Sequence, residues 1–409
     1  MPQSMATATE LLKEIFIPRI SELMDSEPTT YNRIKKTAGN AEKFGGKWVE
    51  FPIHIERNTG IGARPMGAPL PSAGQQKFRE TRLNLKPFYG AIELQGDVFD
   101  LATSDYQTFA NVVTRETTGI KDDLMVDRNR QVFGNGVGTL GVVSAVAGQV
   151  ITLSTTGDRG VWRFQDGMAV DVQVAATATI RQTGLTVTDI DVVANTITVT
   201  GTMTGIAAGD IIVRLGNYGN EWTGLNAIID DTSSLYGIAP TNGPSGSRLW
   251  RGQVNNQGGT PTAIAEATMA RMSDRLKFAG GKPSAIYAAP GVFRAYWQLL
   301  KSDRRFVNTQ EFKGGYTGLS FDSPNGSVPF FSDDQANSGT MYYVEEKDLK
   351  IYRPYEYKMM DRGGSTWHQK SNGAAVYDTW QAWLVEYSEM GCFTRSHHGK
   401  ITNIIEDAY

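Results

Sequence analysis

The sequence WVEFPIHIE (residues 48–56) alternates apolar side chains with other residues at a period of two, as a half-buried β-strand does. The sequence FRETRLNL (residues 78–85) alternates again. Between them lies NTGIGARPMGAPLPSAG (residues 58–74), which is rich in glycine and proline and has no periodicity. Together these segments predict a β-hairpin over residues 47–95, with a connection far longer than the roughly two to five residues of ordinary hairpin loops.

The long connection predicts a contact with another subunit. Ordering its backbone costs about 1–2 kcal/mol per residue, or roughly 20–30 kcal/mol in total. At about 25 cal/mol per Å², on the order of 1,000 Å² of apolar burial is needed to compensate. A protruding ribbon finds that area on a neighbouring subunit and not on its own domain, so we predict that the hairpin is an intersubunit arm. The predicted contact residues are Arg57, Ile61, Arg64, Met66 and Leu70.

The composition favours an assembly protein and gives no sign of a catalyst. A chain of 409 residues is long enough for two or three domains around a sizeable core. Its net charge of −3 does not suit tight binding of nucleic acid by phosphate neutralisation. A single cysteine excludes an intrachain disulfide and a cysteine-based zinc site, and it suits a reducing cytoplasm.

The chain shows no membrane or export signal. No run of residues approaches the roughly 18–20 apolar side chains that span a membrane. The first residues, MPQS, lack the basic start and apolar core of a signal peptide. We therefore expect a soluble protein that is made inside a cell and has no membrane partner.

Residues 1–46 read as an N-terminal arm. Residues 10–24 carry apolar side chains at helical spacing, interrupted by Pro18. Residues 25–46 are polar, and the sequence leaves two interpretations equally open: an arm lying on other parts of an assembly, or a solvated connector. The basic cluster of this segment comprises Arg33, Lys35, Lys36, Lys43 and Lys47.

Three further segments follow the hairpin. A long amphipathic helix is predicted from Ser104 to Phe133, on the order of 45 Å in length. From Gly134 to about Asn220 the chain is rich in Val, Ile and Thr, which predicts an inserted all-β module, a small barrel or sandwich. From residue 253 strands and helices alternate, with one helix predicted to start at Thr260-Pro261 and another at Pro290.

Candidate chemical motifs are few. His397 and His398 are adjacent, which sends side chains to opposite faces of a strand, and the spacing brings no third ligand within reach, so we favour structural roles over a metal site. Cys392 lies among strand residues and is predicted to be a buried, inert thiol. The Gly-rich stretch at residues 134–138 is followed by strands, so it lacks the helix N-terminus of a phosphate loop.

Acidic residues give no catalytic pattern either. Adjacent pairs such as Asp333-Asp334 and Glu345-Glu346 splay apart on a strand. The β module carries several aspartates without calcium-loop spacing; a calcium site stays open, but solvated turns are favoured. They are Asp166, Asp171, Asp189, Asp191 and Asp210. We therefore predict a non-enzyme with no catalytic residue, no cofactor and no metal.

The order of elements resembles the major capsid proteins of tailed double-stranded DNA bacteriophages, whose fold is shared with encapsulins and the herpesvirus capsid floor. Short phrases along the chain are also similar to that family, and their order carries more weight than any one of them. They are PSAIYAAP (283–290), WQLLKSD (297–303), GLSF (318–321), VPFFSD (328–333), YRP (352–354), MDRGGST (360–366), AWLVEYSEMGC (382–392) and GKITNI (399–404).

The resemblance implies an α+β fold, the tailed-phage major capsid fold with an inserted all-β domain. Each part of the chain then has an expected place in that fold. The parts are an N-terminal arm (1–46), an extended hairpin loop (47–95), the spine helix of a peripheral domain (96–135), the inserted β domain (136–222), an axial α/β domain (223–340) and return strands that complete the axial and peripheral domains (341–409).

The function implied is self-assembly into the hexamers and pentamers of an icosahedral shell around a packaged DNA genome. The implied partners are further copies of the chain, a portal protein, a separate scaffolding protein, and decoration or minor capsid proteins. The protein would reside in the virion after assembly in the host cytoplasm, and it would enclose double-stranded DNA without sequence-specific binding.

The sequence differs from the family in two respects, and two alternative functions stay open. The chain lacks a long charged N-terminal scaffold, and no lysine lies between Asn58 and Gln76, which argues against a covalent crosslink of the hairpin tip. An encapsulin-type nanocompartment subunit is the alternative within the fold. An enzyme with a β-binding module is the alternative outside it, and would need clustered acidic or histidine ligands.

Overall fold

The computed structural model describes most of the chain. The described residues are 29–37, 41–43, 48–96, 106–154, 160–175, 177–201, 203–241, 247–301, 310–311, 317–323, 325–361, 364–372 and 375–407. The predicted helical segment 10–24 and the predicted helix start at Ser104 lie outside them.

The described helices and strands form a mixed α+β fold in which runs of strands are separated by single helices. The helices are α1 (Thr29–Thr37), α2 (Tyr106–Val132), α3 (Leu225–Ile228), α4 (Glu266–Phe278) and α5 (Pro290–Lys301). The strands before α2 are β1 (Ala41–Lys43), β2 (Trp48–Glu56), β3 (Lys77–Asn84) and β4 (Lys86–Gln95). Those between α2 and α3 are β5 (Thr139–Ala147), β6 (Val150–Leu153), β7 (Ala169–Gln173), β8 (Ile180–Asp191), β9 (Thr196–Thr200) and β10 (Ile211–Arg214).

The remaining strands build the second half of the molecule. They are β11 (Gln253–Asn255), β12 (Ala285–Ala288), β13 (Gln310–Glu311), β14 (Thr317–Ser323), β15 (Gly326–Ser332), β16 (Met341–Val344), β17 (Leu349–Arg353), β18 (Lys358–Met359), β19 (His368–Asn372), β20 (Ala375–Cys392) and β21 (Gly399–Ile401). Among the described residues, no helix combines the length and apolar character needed to cross a membrane.

The peripheral sheet is organised around β20. This strand pairs with β19 near its start, with β4 and β18 in its middle and with β17 at its end, while β1 adds to the edge of β17. The predicted long helix is confirmed as α2, which packs against β4 and β20. The hairpin of β2 and β3 forms a separate two-stranded sheet, whereas β4 belongs to the peripheral sheet rather than to the hairpin.

A buried arginine joins the elements of the peripheral domain. Arg128 on α2 donates hydrogen bonds to Glu386 and Ser388 on β20 (both 3.1 Å), and its guanidinium lies between the rings of Phe88 and Trp222. Arg128 and Glu386 are both fully buried. A buried ion pair is stable only where further hydrogen bonds and stacking replace the lost hydration, which is the arrangement seen here.

The predicted β module is a closed barrel of six strands in the order β10-β5-β6-β9-β8-β7. Alternate residues of its strands point inward and form a core separate from that of the rest of the chain. The inward residues include Leu140, Val143, Ile151, Leu153, Val170, Val172, Leu185, Val187, Ile197, Val199 and Ile212.

The expectation of solvated aspartate turns is wrong for two residues of the barrel. Asp171 and Asp210 are buried. Asp171 accepts hydrogen bonds from Thr183, Gly184 and Gly216, because the barrel closes over main-chain N–H groups that need acceptors.

The axial domain is a seven-stranded mixed sheet in the order β11-β21-β16-β12-β15-β14-β13, with α4 and α5 packed on it. The second predicted helix start is confirmed, since α5 begins at Pro290. The first is wrong: Thr262 is extended and its main chain bonds Asn403 and Ile405, so α4 begins only at Glu266. The main-chain hydrogen bonds with the C-terminal segment outweigh the local preference of Pro261 for the first turn of a helix.

The N-terminal segment packs on its own chain over residues 29–37, so the expectation of a solvated connector is wrong there. Tyr31 and Ile34 of α1 are fully buried in the main core. Arg33 pairs with the buried Glu346, and the Thr30 hydroxyl donates to Asp333 (2.5 Å). The two buried apolar residues of α1 lie three positions apart, on one helical face. A single pair in a polar stretch is too few to show helical periodicity in the sequence.

Substitution of Arg128 by methionine should destabilise the unassembled protein by about 3–5 kcal/mol, because Glu386 then loses its best partner while remaining buried. Adding Glu386→Gln should make the total loss smaller than the sum of the single losses. Denaturant unfolding measures both. The control is Arg115→Met, an exposed arginine on the same helix, for which we expect a change within about 0.5 kcal/mol. Equal effects at both sites would contradict the role of the pair.

His398 should make the fold sensitive to acid. Burial lowers its pKa to about 4, with Asp348 and His397 as neighbouring titratable groups. The unfolded chain binds the proton near pH 6.5, so the contribution is present above that pH and is lost as pH falls to about 4. The loss amounts to about 3 kcal/mol.

Unfolding free energies measured from pH 7 to pH 4 should therefore fall less steeply for His398→Gln than for the wild type. The exposed His54, as His54→Gln, provides the control and should leave the slope unchanged. Identical slopes for all three proteins would show that His398 does not contribute.

Candidate assembly surfaces

The hairpin of β2 and β3 has a firmly packed base. The inward face of β2 is buried in the main core through Val49, Phe51, Ile53 and Ile55. The ring of Phe51 lies 4.9 Å from that of Phe393, between centroids. Cross-strand ion pairs such as Arg82 with Glu50 (2.8 Å) lie on the outer face. Because its base is fixed in the core, the hairpin holds the following loop in a defined direction.

The loop of residues 57–76 extends from this base without strand structure. Asn58 clasps its two halves: the side-chain amide donates to Gly74 O (3.0 Å) and its carbonyl oxygen accepts from Gly60 N (2.7 Å). Glycine is needed at 60 and 74, since a Cβ at either position would come within 2.8 Å of the opposite backbone. The tip is a turn closed by Ala68 N and Pro65 O (3.1 Å), with Gly67 at φ +79°.

The loop exposes apolar side chains and unpaired positive charge. No residue between 57 and 76 is buried, and Ile61 and Leu70 are 87% and 86% exposed. The five predicted contact residues are all exposed, and the described part of the chain supplies no ion-pair partner for Arg57 or Arg64. Such an exposed, non-acidic, apolar ribbon has the character of a surface that is buried on association.

A network of charges fixes the barrel to the end of the spine helix α2. Arg130 pairs with Asp127 (3.0 Å) on the same helix and with Glu221 on the segment that leaves the barrel after β10. Arg214, the last residue of β10, reaches Asp127 at 3.2 Å. These ion pairs keep the pKa of Asp127 well below its usual range despite its burial. The barrel root is therefore a rigid joint.

The barrel also contacts the axial domain. Arg163 donates from its guanidinium to Asn337 Oδ1 (3.1 Å) and to Gln335 O (3.3 Å). Asn337 in turn donates to Tyr342 and to Phe133 O, at the end of α2. The inserted barrel therefore touches both domains of the chain.

The residues considered for chemistry are arranged as structural groups. Cys392 is buried, and burial raises the pKa of its thiol, so it is the inert thiol that was expected. The Gly-rich stretch forms a turn into the barrel, with Gly136 and Gly138 at positive φ. For His397 the structure differs from the expectation that no further ligand lies within reach. Folding places Glu345 and Asp348 beside its ring. No sequence spacing indicates this cluster, since its members lie about fifty residues apart.

Comparison with solved structures relates this architecture to viral shells. The chain is similar to the capsid asymmetric unit of cyanophage A-1(L), with a TM-score of 0.59, 13% identity and coverage of 98% of this chain and 99% of that one. The fold is that of a phage capsid subunit. A capsid-fold chain of a native GTA particle matches with a TM-score of 0.53, 9% identity and 100% coverage of both chains.

The likeness therefore extends over the whole capsid fold. The empty GTA particle gives a TM-score of 0.51 at 9% identity, with coverage of 99% of this chain and 98% of that one. No protein-family model matches the sequence, and no curated protein does. The fold class expected from the resemblance is confirmed.

The barrel should fold by itself. Its core is separate from that of the capsid fold, and its two connections meet where Gly219 N donates to Val137 O (2.9 Å). Residues 138–219 expressed alone should give a cooperatively unfolding β domain. The chain rejoined by a short linker across that gap should keep its peripheral and axial cores, since Glu221 and Trp222 remain.

Circular dichroism and thermal unfolding of the two proteins test this expectation. The matched control for the deletion is Arg214→Met in the full chain, which removes the barrel's ion pair with Asp127 but keeps the domain. If neither the isolated barrel nor the shortened chain folds, the barrel is integral to the core.

Proposed function

We propose that this chain is the major capsid protein of a tailed phage, assembling through repeated contacts into the hexamers and pentamers of an icosahedral shell. The observation that carries the proposal is the exposed loop of residues 57–76, held rigidly on a capsid fold. None of the described residues of the chain buries the apolar side chains of this loop. A neighbouring copy in a closed ring would bury them.

The electrostatic character of the chain supports enclosure of DNA without tight binding. The net charge of −3 provides no excess of cations for the phosphates. The shell would then be a container in the virion, assembled in the host cytoplasm. A portal protein, a separate scaffolding protein and decoration or minor capsid proteins complete the proposed set of partners.

Arg57 and Arg64 would add charge contacts to the loop interface. The loop segment 57–76 contains no acidic residue, so its two arginines face no competing partner within it. Acidic groups on the receiving subunit would pair with them, and Ile61, Met66 and Leu70 would contribute the apolar area.

Replacing residues 58–74 by a two-residue Asn-Gly turn should abolish or strongly weaken shell assembly. The isolated subunit should unfold at nearly the same temperature as the wild type, because the removed side chains are already exposed. The assembly loss reflects an interface on the order of 1,000 Å². Sedimentation of assembly mixtures and thermal unfolding of the unassembled protein measure the two effects.

A pair of single substitutions provides a matched control. Met66 and Val193 are both completely exposed apolar residues at the tips of turns, one on the loop and one on the barrel. Met66→Ser should weaken assembly, whereas Val193→Ser should not. Shells of normal stability from the shortened loop would overturn its intersubunit role.

Electron microscopy of the expressed protein tests the function as a whole. Closed shells that package DNA when the phage components are present support the capsid assignment. Small shells without DNA would favour the encapsulin-type alternative instead, and discrete small oligomers would contradict both.

A further inference from the structure

The chain crosses between its axial and peripheral sheets three times, and the two short crossings meet. The first runs from β16 to β17 through residues 345–348. The second runs from β20 to β21 through residues 393–398. Any group that binds both crossings joins the two domains at the place where they connect.

Three ligand-type side chains converge there. His397 Nδ1 lies 2.5 Å from Asp348 Oδ2 and 3.2 Å from Glu345 Oε2. The three ligand atoms all lie within 4.8 Å of one another. One ring nitrogen carries at most one proton, so it can satisfy only one of the two carboxylates well.

The two carboxylates of the cluster share one imidazole. Glu346 has Arg33, and Glu345 has Lys347, which reaches the oxygen facing away from the imidazole. The ion-pair contact of Asp348 is with the imidazole of His397, and the charge of Lys347 lies nearby. Glu345 is almost completely buried and Asp348 is largely so, and buried carboxylates need hydrogen bonds or a cation. One imidazole nitrogen cannot serve both carboxylates, so acceptor oxygens remain that a cation could bind.

We propose that Glu345, Asp348 and His397 bind a divalent transition-metal ion, with Zn²⁺ as the representative. One imidazole nitrogen and two carboxylate oxygens form a common zinc ligand set, at about 2.0–2.2 Å from the metal. Tetrahedral ligands at that distance stand roughly 3.3 Å apart. The distance of 3.2 Å between His397 Nδ1 and Glu345 Oε2 already fits this value. The distance of 2.5 Å between His397 Nδ1 and Asp348 Oδ2 would increase by less than about 1 Å when the ion replaces the shared proton.

The surroundings hold Glu345 in place. Lys282 N donates to Glu345 Oε2 (2.9 Å), and Glu345 N donates to the buried His398 Nδ1 (3.3 Å). The side chain of His397 is 21% exposed, which leaves room for a water molecule as the fourth ligand. Binding would clamp the axial sheet to the peripheral sheet, so the ion would act on the joint between domains.

The test uses the full chain, stripped with a chelator and titrated with Zn²⁺ in a calorimeter. We expect one ion per chain, and a Co²⁺ complex with the absorption spectrum of tetrahedral nitrogen and oxygen ligation. His397→Gln and Asp348→Asn should each weaken binding at least tenfold. Thermal unfolding should shift upward with Zn²⁺ only where the site is intact.

The matched control is His54→Gln, which removes a histidine from an exposed strand position and should leave binding unchanged. Asp348→Asn is nearly isosteric, so it decides the question even if His397→Gln fails to fold. Absence of saturable binding to the wild type, or equal binding by wild type and Asp348→Asn, would overturn the proposal.

Discussion

The burial of one guanidinium constrains the whole peripheral domain. Arg128 cannot be buried without replacing its hydration, so α2, β20 and Trp222 must converge on it. Trp222 begins the return from the barrel, and its indole N–H shares Ser388 with Arg128. The spine helix, the central strand and both ends of the insertion are thus positioned by one set of contacts.

A rigid body of this kind makes the exposed loop useful. A loop without secondary structure ordinarily weakens association, because binding must order it at a cost in conformational entropy. Here the packed base at Phe51 and the Asn58 clasp fix its direction beforehand. The remaining cost falls on the tip, where the exposed apolar residues lie. The chain's own core fixes the base of the loop, and the apolar residues near its tip remain exposed.

Few chain segments connect the parts of the molecule, and charged residues lie where these parts meet. Asp127 and Arg130 hold the barrel root, Arg33 ties α1 to Glu346, and His397 faces two carboxylates at the sheet crossings. Partly buried charges at joints require well-defined geometry, which favours one domain arrangement over others.

The sequence by itself determined the elements whose signals are local. Period-two alternation gave the hairpin, helical spacing gave α2, and Val, Ile and Thr enrichment gave the barrel. Tertiary structure decided what depends on distant partners: the extended backbone at Thr262, the docking of α1 through Tyr31, and the meeting of Glu345 with His397. These depend on contacts between residues far apart in the chain, and such contacts leave no periodic trace in a single sequence.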